Sequence, residues 1–435
     1  LLEKADWRAM FTPVRKRHPA VPKQREAAVA ATDQSRSETE SDHQLPTRKN
    51  SRRQITTHSP LVQALGTAIA AIPAYQSAHA DAPPAFSEMG IRYTHYDEDK
   101  LSESTFIFGS RDRYDIDVTQ FWFETPVGGS WSVALDVQND VMSGASPWFI
   151  GTNIDGNPGV ITSGASISDQ RVEVGVTTRY FWADGNAGFN VAQSKEDDYE
   201  ATSWAFDASW NSEDNARTWT TSLSSSNDRL EPEQGNIPVS VEQDSLDTQS
   251  LYFGMSQILS STALMRVGLS YTTSDGYLSD PYKLFDQRPD RHERYAFSTG
   301  YRRHFIEAQG SLHLDYRYYD DSWGTHSHTA EIAWHQELRK HSLKPYIRYY
   351  SQEQADFFSP IAQLDQRYYA DDFRLSSYGA FTLGLRGVVA VGDWQFEGQV
   401  ERYLSDHDWG LSGGEEAPAL VDFWRMTVGV SWRFD

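Results

Sequence analysis

Trp131-Ser132-Val133-Ala134-Leu135-Asp136-Val137-Gln138 places an apolar side chain at every odd position and a small or polar one at every even position. In an extended chain successive side chains point to opposite sides, so this octet builds a strand with one apolar and one polar face. The same period of two continues along the chain. Val172, Val174, Val176, Tyr180 and Trp182 oppose Arg171, Glu173, Thr177 and Arg179. Leu312, Leu314, Tyr316 and Tyr318 oppose His313, Asp315, Arg317 and Tyr319, and Ala330, Ile332 and Trp334 oppose Glu331 and His335. Alternation alone suits a soluble sandwich as well as a membrane barrel, because in each one face meets apolar matter and the other meets water.

The connections separate the two. The pattern predicts sixteen strands, at 86–96, 105–125, 130–142, 168–182, 186–196, 198–211, 216–226, 247–258, 262–274, 292–303, 310–321, 326–337, 342–352, 373–391, 393–405 and 420–434. Every second joint is tight, as at Val127-Gly128-Gly129, Ala183-Asp184-Gly185-Asn186 and Gly392-Asp393. The joints between them are mostly long: 143–167, 227–246, 275–291, 353–372 and 406–419 are polar and rich in Gly, Pro, Asp and Ser. Short turns on one side, long loops on the other and an even strand number are the layout of an outer-membrane barrel. A sandwich in water has no cause for that asymmetry. The expected fold is therefore all-β, a transmembrane up-and-down antiparallel β-barrel of about 16 strands with short periplasmic turns and long extracellular loops.

Composition narrows the alternatives. Of the 435 residues 39% are hydrophobic and 13% aromatic, enough for an ordered fold, yet no run reaches the roughly 18 uncharged apolar residues of a membrane helix. The absence of Cys excludes disulfides, thiolate metal sites, iron–sulfur clusters and cysteine nucleophiles. Within residues 48–80, basic Arg48, Lys49, Arg52 and Arg53 precede an apolar run from Leu61 to Ile72 and then Ala78-His79-Ala80, the order of a secretory signal peptide, with cleavage expected after Ala80. Residues 1–47 lack apolar periodicity and read as a disordered extension or a start-site artefact. Residues 81–435, expected to form one barrel domain, carry 27 basic and 54 acidic residues, a net charge of −27. That balance disfavours nucleic acid as a partner.

The last strand carries a second mark. Met426, Val428, Val430, Trp432 and Phe434 share its apolar face. Thr427, Gly429, Trp432 and Phe434 resemble the C-terminal signal through which bacterial outer-membrane barrels engage the barrel assembly machinery, although Asp435 follows an aromatic that usually ends such chains. Outer-membrane lipids and that machinery are the expected partners, and the expected location is the outer membrane of a Gram-negative bacterium.

A family resemblance extends over nearly all of residues 81–435. Ser143-Gly144-Ala145-Ser146-Pro147, Ser163-Gly164-Ala165-Ser166, Ser226-Asn227-Asp228-Arg229, Pro281-Tyr282-Lys283-Leu284-Phe285-Asp286, Asp315-Tyr316-Arg317-Tyr318-Tyr319, Trp323-Gly324, Ser327-His328-Thr329 and Arg348-Tyr349-Tyr350-Ser351 resemble domain of unknown function 3570. That family comprises Gram-negative outer-membrane barrels without an established activity. Its members are often encoded near a small lipoprotein, a flavin transferase and a thioredoxin-like protein, so the resemblance implies an envelope redox assembly and a lipoprotein partner as one setting.

Site candidates follow from the polar faces. Arg171, Glu173, Arg179, Asp207, Asp315, Arg317, Glu331, His335, Lys344, Arg348 and Arg386 occupy positions expected to face the lumen, where they serve either as a structural network or as selectivity groups. The loop 143–167, with Trp148, Phe149 and Ile150, is expected to be able to fold inward and narrow or plug the pore. His326 and His328 share a strand face near Asp320 and Asp321, a weak metal set, and His313 lies near His335; hydrogen bonding to carboxylates is the plainer reading, and no cofactor is expected. Ser327 beside those histidines allows a Ser-His or Asp-His hydrolase, but Ser327 does not sit in a Gly-x-Ser-x-Gly and no spacing specific to a nucleophile surrounds it. Asp275, Asp280, Asp286 and Asp290 lack EF-hand spacing and read as a solvated acidic surface. Three functions remain in view: a porin-like channel or small-solute transporter with modest cation preference, a barrel that anchors or houses a periplasmic or lipoprotein partner, and an outer-membrane hydrolase.

Overall fold

The computed structural model describes residues 82–145, 147–162, 167–232, 239–283, 285–361 and 365–435. The expected extension at 1–47 and signal peptide at 48–80 lie outside the described residues. Nineteen strands follow in order: β1 (Ser87–Glu98), β2 (Phe106–Phe108), β3 (Asp115–Val127), β4 (Trp131–Gly144), β5 (Pro147–Thr152), β6 (Pro158–Thr162), β7 (Ile167–Trp182), β8 (Gly185–Lys195), β9 (Tyr199–Asn211), β10 (Arg217–Leu230), β11 (Asp244–Ser260), β12 (Ala263–Gly276), β13 (Arg291–Phe305), β14 (Gly310–Asp321), β15 (His326–Leu338), β16 (His341–Gln352), β17 (Tyr378–Val391), β18 (Trp394–Asp406) and β19 (Phe423–Phe434). Sixteen of them close an antiparallel barrel in the ring order β1-β3-β4-β7-β8-β9-β10-β11-β12-β13-β14-β15-β16-β17-β18-β19. The last strand seals against the first, from Ser87↔Phe434 at the turn end to Glu98↔Phe423 at the loop end.

Two predicted strands are corrected. The strand expected at 105–125 divides, because Gly109 turns the chain at φ 106° and the polar run Ser110-Arg111-Asp112-Arg113 leaves the ladder. Phe106–Phe108 instead joins β5 and β6 in a separate three-stranded sheet, and the barrel strand begins at Asp115. The strand expected from 373 begins at Tyr378, because the Asp372 side chain accepts from the Arg374 N–H and caps a short 3-10 turn over Phe373–Leu375.

The alternation resolves into an outside and an inside. Val172, Val174, Val176, Leu223, Leu251, Leu383, Leu385 and Val428 point outward and are exposed. Aromatic pairs bound this belt. Trp131 with Tyr180, Trp394 with Trp432, and Trp432 with Phe434 lie toward the turn end, with ring centroids 4.9, 5.7 and 4.5 Å apart. Tyr271 with Tyr295 and Tyr349 with Phe381, both 5.0 Å apart, lie toward the loop end. An exposed apolar band between two aromatic girdles is the exterior of a membrane-spanning barrel, and among the described residues no helix is long and apolar enough to cross.

The inner wall carries the polar set, and some of its largest side chains lie against glycines. A Cβ on Gly384 would fall 2.1 Å from the Tyr346 ring, and one on Gly90 would fall 2.2 Å from Trp122. These rings therefore rest flat on bare backbone rather than projecting toward the axis.

Candidate functional site: a charged lumen with a loop-closed mouth

The charged residues expected at the lumen alternate along their strands with the exposed apolar positions, and most meet an opposite charge on a neighbouring strand. Arg171 on β7 donates through Nε to Asp140 on β4 at 2.8 Å. Arg179 holds Asp207 with two bonds of 2.7 and 2.9 Å and also donates to Asn186. Glu331 on β15 takes Arg348 at 2.8 Å and Lys344 at 3.3 Å from β16, because the register sets Glu331 opposite Arg348. Asp315 accepts from Arg302 at 2.8 Å and stands 3.6 Å from Arg266. Arg386 reaches Glu397 at 2.9 Å, Arg317 lies over Tyr319, and His335 stacks on His313 with centroids 5.9 Å apart.

Several members of this wall escaped the sequence reading. Glu401 receives both Arg425 and Tyr346. Arg113 donates to Glu98 at 2.6 Å and, through Nη1, to the Ala419 carbonyl at 3.0 Å. Glu401 and Arg425 occupy the same inward parity as their neighbours, so the alternation could have found them; Arg113 lies in a connection and carried no periodic signal.

The histidine and acid set divides between the two faces of its strands. His326 and His328 point outward, where His326 lies 2.7 Å from Asp320 and His328 bonds the Tyr316 hydroxyl at 2.7 Å. Asp321 points inward instead and meets His292 at 3.0 Å, the Tyr319 hydroxyl, and the N–H groups of Trp323 and Thr325. Ser327 is buried on the inner face, opposite in direction to His326 and His328. Period-two geometry thus keeps these groups from one shell or one Ser-His pair. Among the described residues the set whose ligand atoms approach one another is His95, Asp115 and Asp117, on the outer face of β1 and β3.

The loops at the other end converge. The connection 353–377 springs from the β16/β17 seam, 277–290 from the β12/β13 seam and 145–166 from the β4/β7 seam. Six strands separate the β4/β7 seam from each of the other two. Across a sixteen-stranded ring roughly 30 Å wide, segments from such distant seams meet only by crossing the mouth. They do meet. Asp371 accepts from the Ile150 N–H at 2.7 Å and from Lys283 at 3.3 Å, Asp372 lies 3.0 Å from Arg288, and Gln287 forms a β-bridge with Tyr369. Leu101, Trp323, Phe357, Phe358, Phe373, Leu375 and Ala419 pack as an apolar core between them. The inward reach of Ile150 agrees with the expectation for its loop, whereas 353–372, expected to be a polar loop, supplies Phe357, Phe358, Asp371 and Asp372 to the centre of the closure.

Asp280 and Asp286 are a correction of the solvated reading: both are buried in this closure, at 3% and 6% exposure. Asp286 is held by Arg288 at 2.7 Å, while Asp280 accepts from the Tyr282 N–H. Burial pushes the Asp280 carboxyl up to about 6, against the pull of Lys283. Burial acts on Asp372 in the same sense, but Arg374, Lys283 and Arg288 outweigh it and hold that carboxyl well below the usual range. Asp275 remains exposed, 3.7 Å from Arg291.

The solved structure of CdiB from Acinetobacter baumannii is similar at 8% identity and a TM-score of 0.46, over 81% of this chain and 60% of that one, so the chain spans less than two thirds of its length. A bacterial polysaccharide outer membrane secretin aligns at 9% identity and a TM-score of 0.45, over 80% of this chain and 99% of that one. OccK5 (OpdH) of Pseudomonas aeruginosa aligns at 9% identity and a TM-score of 0.39, over 80% and 98%. No curated protein matches the chain. The family model described as protein of unknown function (DUF3570) matches residues 62–420, and with the closed sixteen-strand barrel behind that match, the chain belongs to this family.

Proposed function

We propose that this outer-membrane barrel is a channel for small solutes, gated at its outer mouth by the converging loops and modestly selective for cations. The observation that carries the reading is the inner wall itself: a continuous lining of charged and polar groups, with rings laid flat on glycines, inside an exterior fit for lipid. Charged linings of this kind are expected where water and solutes pass, and are costly where nothing does. The wall arginines Arg171, Arg179 and Arg348 are each neutralised by a carboxylate, so the acid excess of residues 81–435 sets the field. Planar-bilayer conductance of the purified barrel tests the reading, with discrete openings expected and a permanently silent barrel overturning it.

A second reading draws on the closed mouth. A barrel covered by its own loops at one end suits the housing of a periplasmic or lipoprotein partner, the setting that the family resemblance implies. Co-purification of such a partner with a silent barrel would favour it. A hydrolase is the third reading, and the opposite facing of Ser327 and His326 weighs against the chemistry first considered for it.

A further inference from the structure

The outer face of β1 and β3 ends, on the loop side, in one histidine and three aspartates. Along β1 the outward positions run Ile91, Tyr93, His95 and Asp97, alternating with Thr94, Tyr96 and Glu98, which are buried. Asp115 and Asp117 hold the outward positions at the same level of β3, alternating with buried Ile116 and Val118. Register sets His95 directly opposite Asp117 and Asp97 directly opposite Asp115. Like charges that face each other across a strand pair weaken the pairing, so this arrangement calls for a cation.

No fixed cation answers it. Among the described residues the ion pairs of Asp115 and Asp117 go to His95 alone, and no Lys or Arg reaches either acid. Other exposed acids at the loop end do find one, as Asp99 does in Arg402 and Glu293 in Arg291. A plain hydrogen bond from the imidazole to Asp117 accounts for that pair only. It leaves Asp115 and Asp97 face to face.

Three of the groups already converge. His95 Nδ1 stands 3.0 Å from Asp117 Oδ1 and 3.6 Å from Asp115 Oδ1, and one ligand atom from each residue lies within 4.8 Å of the others. Zinc holds nitrogen and carboxylate oxygen at about 2.0–2.2 Å, which spaces its ligands about 3.0 Å apart at right angles and about 3.4 Å apart at the tetrahedral angle. The two histidine separations match a shared ion of that size. Asp115 makes no hydrogen bond among the described residues, so its carboxylate turns freely toward the other two. The Tyr93 hydroxyl donates to Asp117 and orients it, as the outer partner of a ligating carboxylate does. Side-chain exposures of 38%, 47% and 45% for His95, Asp115 and Asp117 let an ion enter from outside without opening the wall. Imidazole beside two carboxylates suits zinc and its neighbours, whereas calcium takes six to eight oxygens, more than this flat face supplies.

We infer that His95, Asp115 and Asp117 form a surface site for a divalent transition-metal ion of the zinc class, with Asp97 adjacent. The site lies on the outside of the barrel, so it stands or falls apart from conduction through the lumen.

Titration calorimetry of the tag-free barrel in detergent, stripped with chelator and then given zinc chloride, with calcium chloride in a parallel arm, decides the matter. Each variant is first shown to be folded by its faster migration when unheated. Saturable zinc binding is expected, weakened about tenfold or more by His95→Gln and by Asp117→Asn. It should be unchanged by His326→Ala, which removes an exposed histidine paired with Asp320. No saturable zinc binding by the folded wild type, wild-type binding by both His95→Gln and Asp117→Asn, loss of binding in His326→Ala, or calcium bound as tightly as zinc would each overturn the inference.

Discussion

Arg288, on the connection that follows β12, lies 3.0 Å from Asp372, on the connection that follows β16, and through this contact two distant parts of the wall are tied over the mouth. Both side chains are buried, at 2% and 1% exposure. Asp372 also receives Arg374, and Arg288 also holds Asp286, so neither charge can leave without stranding another. Removing one partner of a buried pair costs about 3–5 kcal/mol, mainly through the charge left behind.

Asp372→Ala should therefore loosen the closure while leaving the barrel intact. The expected outcome is a several-fold rise in channel-open probability in planar bilayers and faster protease nicking within 353–377, with heat-modifiable gel migration unchanged. Wild-type gating and wild-type protection together would show that the ion network does not hold the mouth.

Acid should act on the same device in the closing direction. Burial raises Asp280 in the closed arrangement to about 6, above its ordinary solvated range, so the closed state binds a proton that the open state releases. A carboxyl raised in this way penalises closure at neutral pH, and the penalty is relieved as pH falls through about 6 toward the ordinary carboxylate value. Conductance should drop between pH 7 and pH 5, and Asp280→Asn should hold the channel in its low-pH behaviour at pH 7. Asp372 sets the lower bound, since it remains charged well below the usual range. An open probability that does not change over this interval, or that rises on acidification, would refute the assignment to Asp280.

Assembly offers a test independent of conduction. Trp432 and Phe434 stack outward at 4.5 Å, and Trp432 also meets Trp394 across the seam with β18. Thr427 bonds Thr94 at 2.9 Å on the closing strand pair. Trp432→Ala combined with Phe434→Ala strips the girdle where β19 must seal the ring, so the fraction of chain recovered as the fast-migrating unheated form should fall by half or more. Full wild-type recovery in the outer membrane would remove these residues from the signal.

The barrel was legible because membrane and lumen impose opposite demands on alternate residues, and no element shows this better than β7, where Val172, Val174 and Val176 interleave with Arg171 and Glu173. Strand count followed from the turns for the same reason. The mouth was not legible. Its contacts join Lys283 and Arg288 to Asp371 and Asp372 across more than eighty residues, and no local period links such positions. A clue did exist in Phe357, Phe358, Tyr368, Tyr369, Phe373 and Leu375, which are too apolar for a loop spread in water. His326 and Asp321 failed as a set for a simpler reason: one odd step along a strand reverses the face, and proximity in sequence then means separation in space.

Ion preference is the remaining consequence of the wall. A net charge of −27 on residues 81–435 draws cations toward the entrance, through a field that decays over about 8 Å at physiological salt. Had the wall arginines been free, a narrow lumen would let them override that field at close range. Three of them are paired, Arg171 with Asp140, Arg179 with Asp207 and Arg348 with Glu331, while Arg317 lies over the Tyr319 ring. Open channels should thus prefer cations modestly, with a reversal potential under a potassium chloride gradient that shrinks toward zero as total salt rises. Asp207→Asn releases Arg179 from its neutralising partner and should shift the reversal potential toward anions. A clear anion preference in the wild type would mean that the paired arginines still govern permeation, and the field of the acidic loops would have to be abandoned as its source.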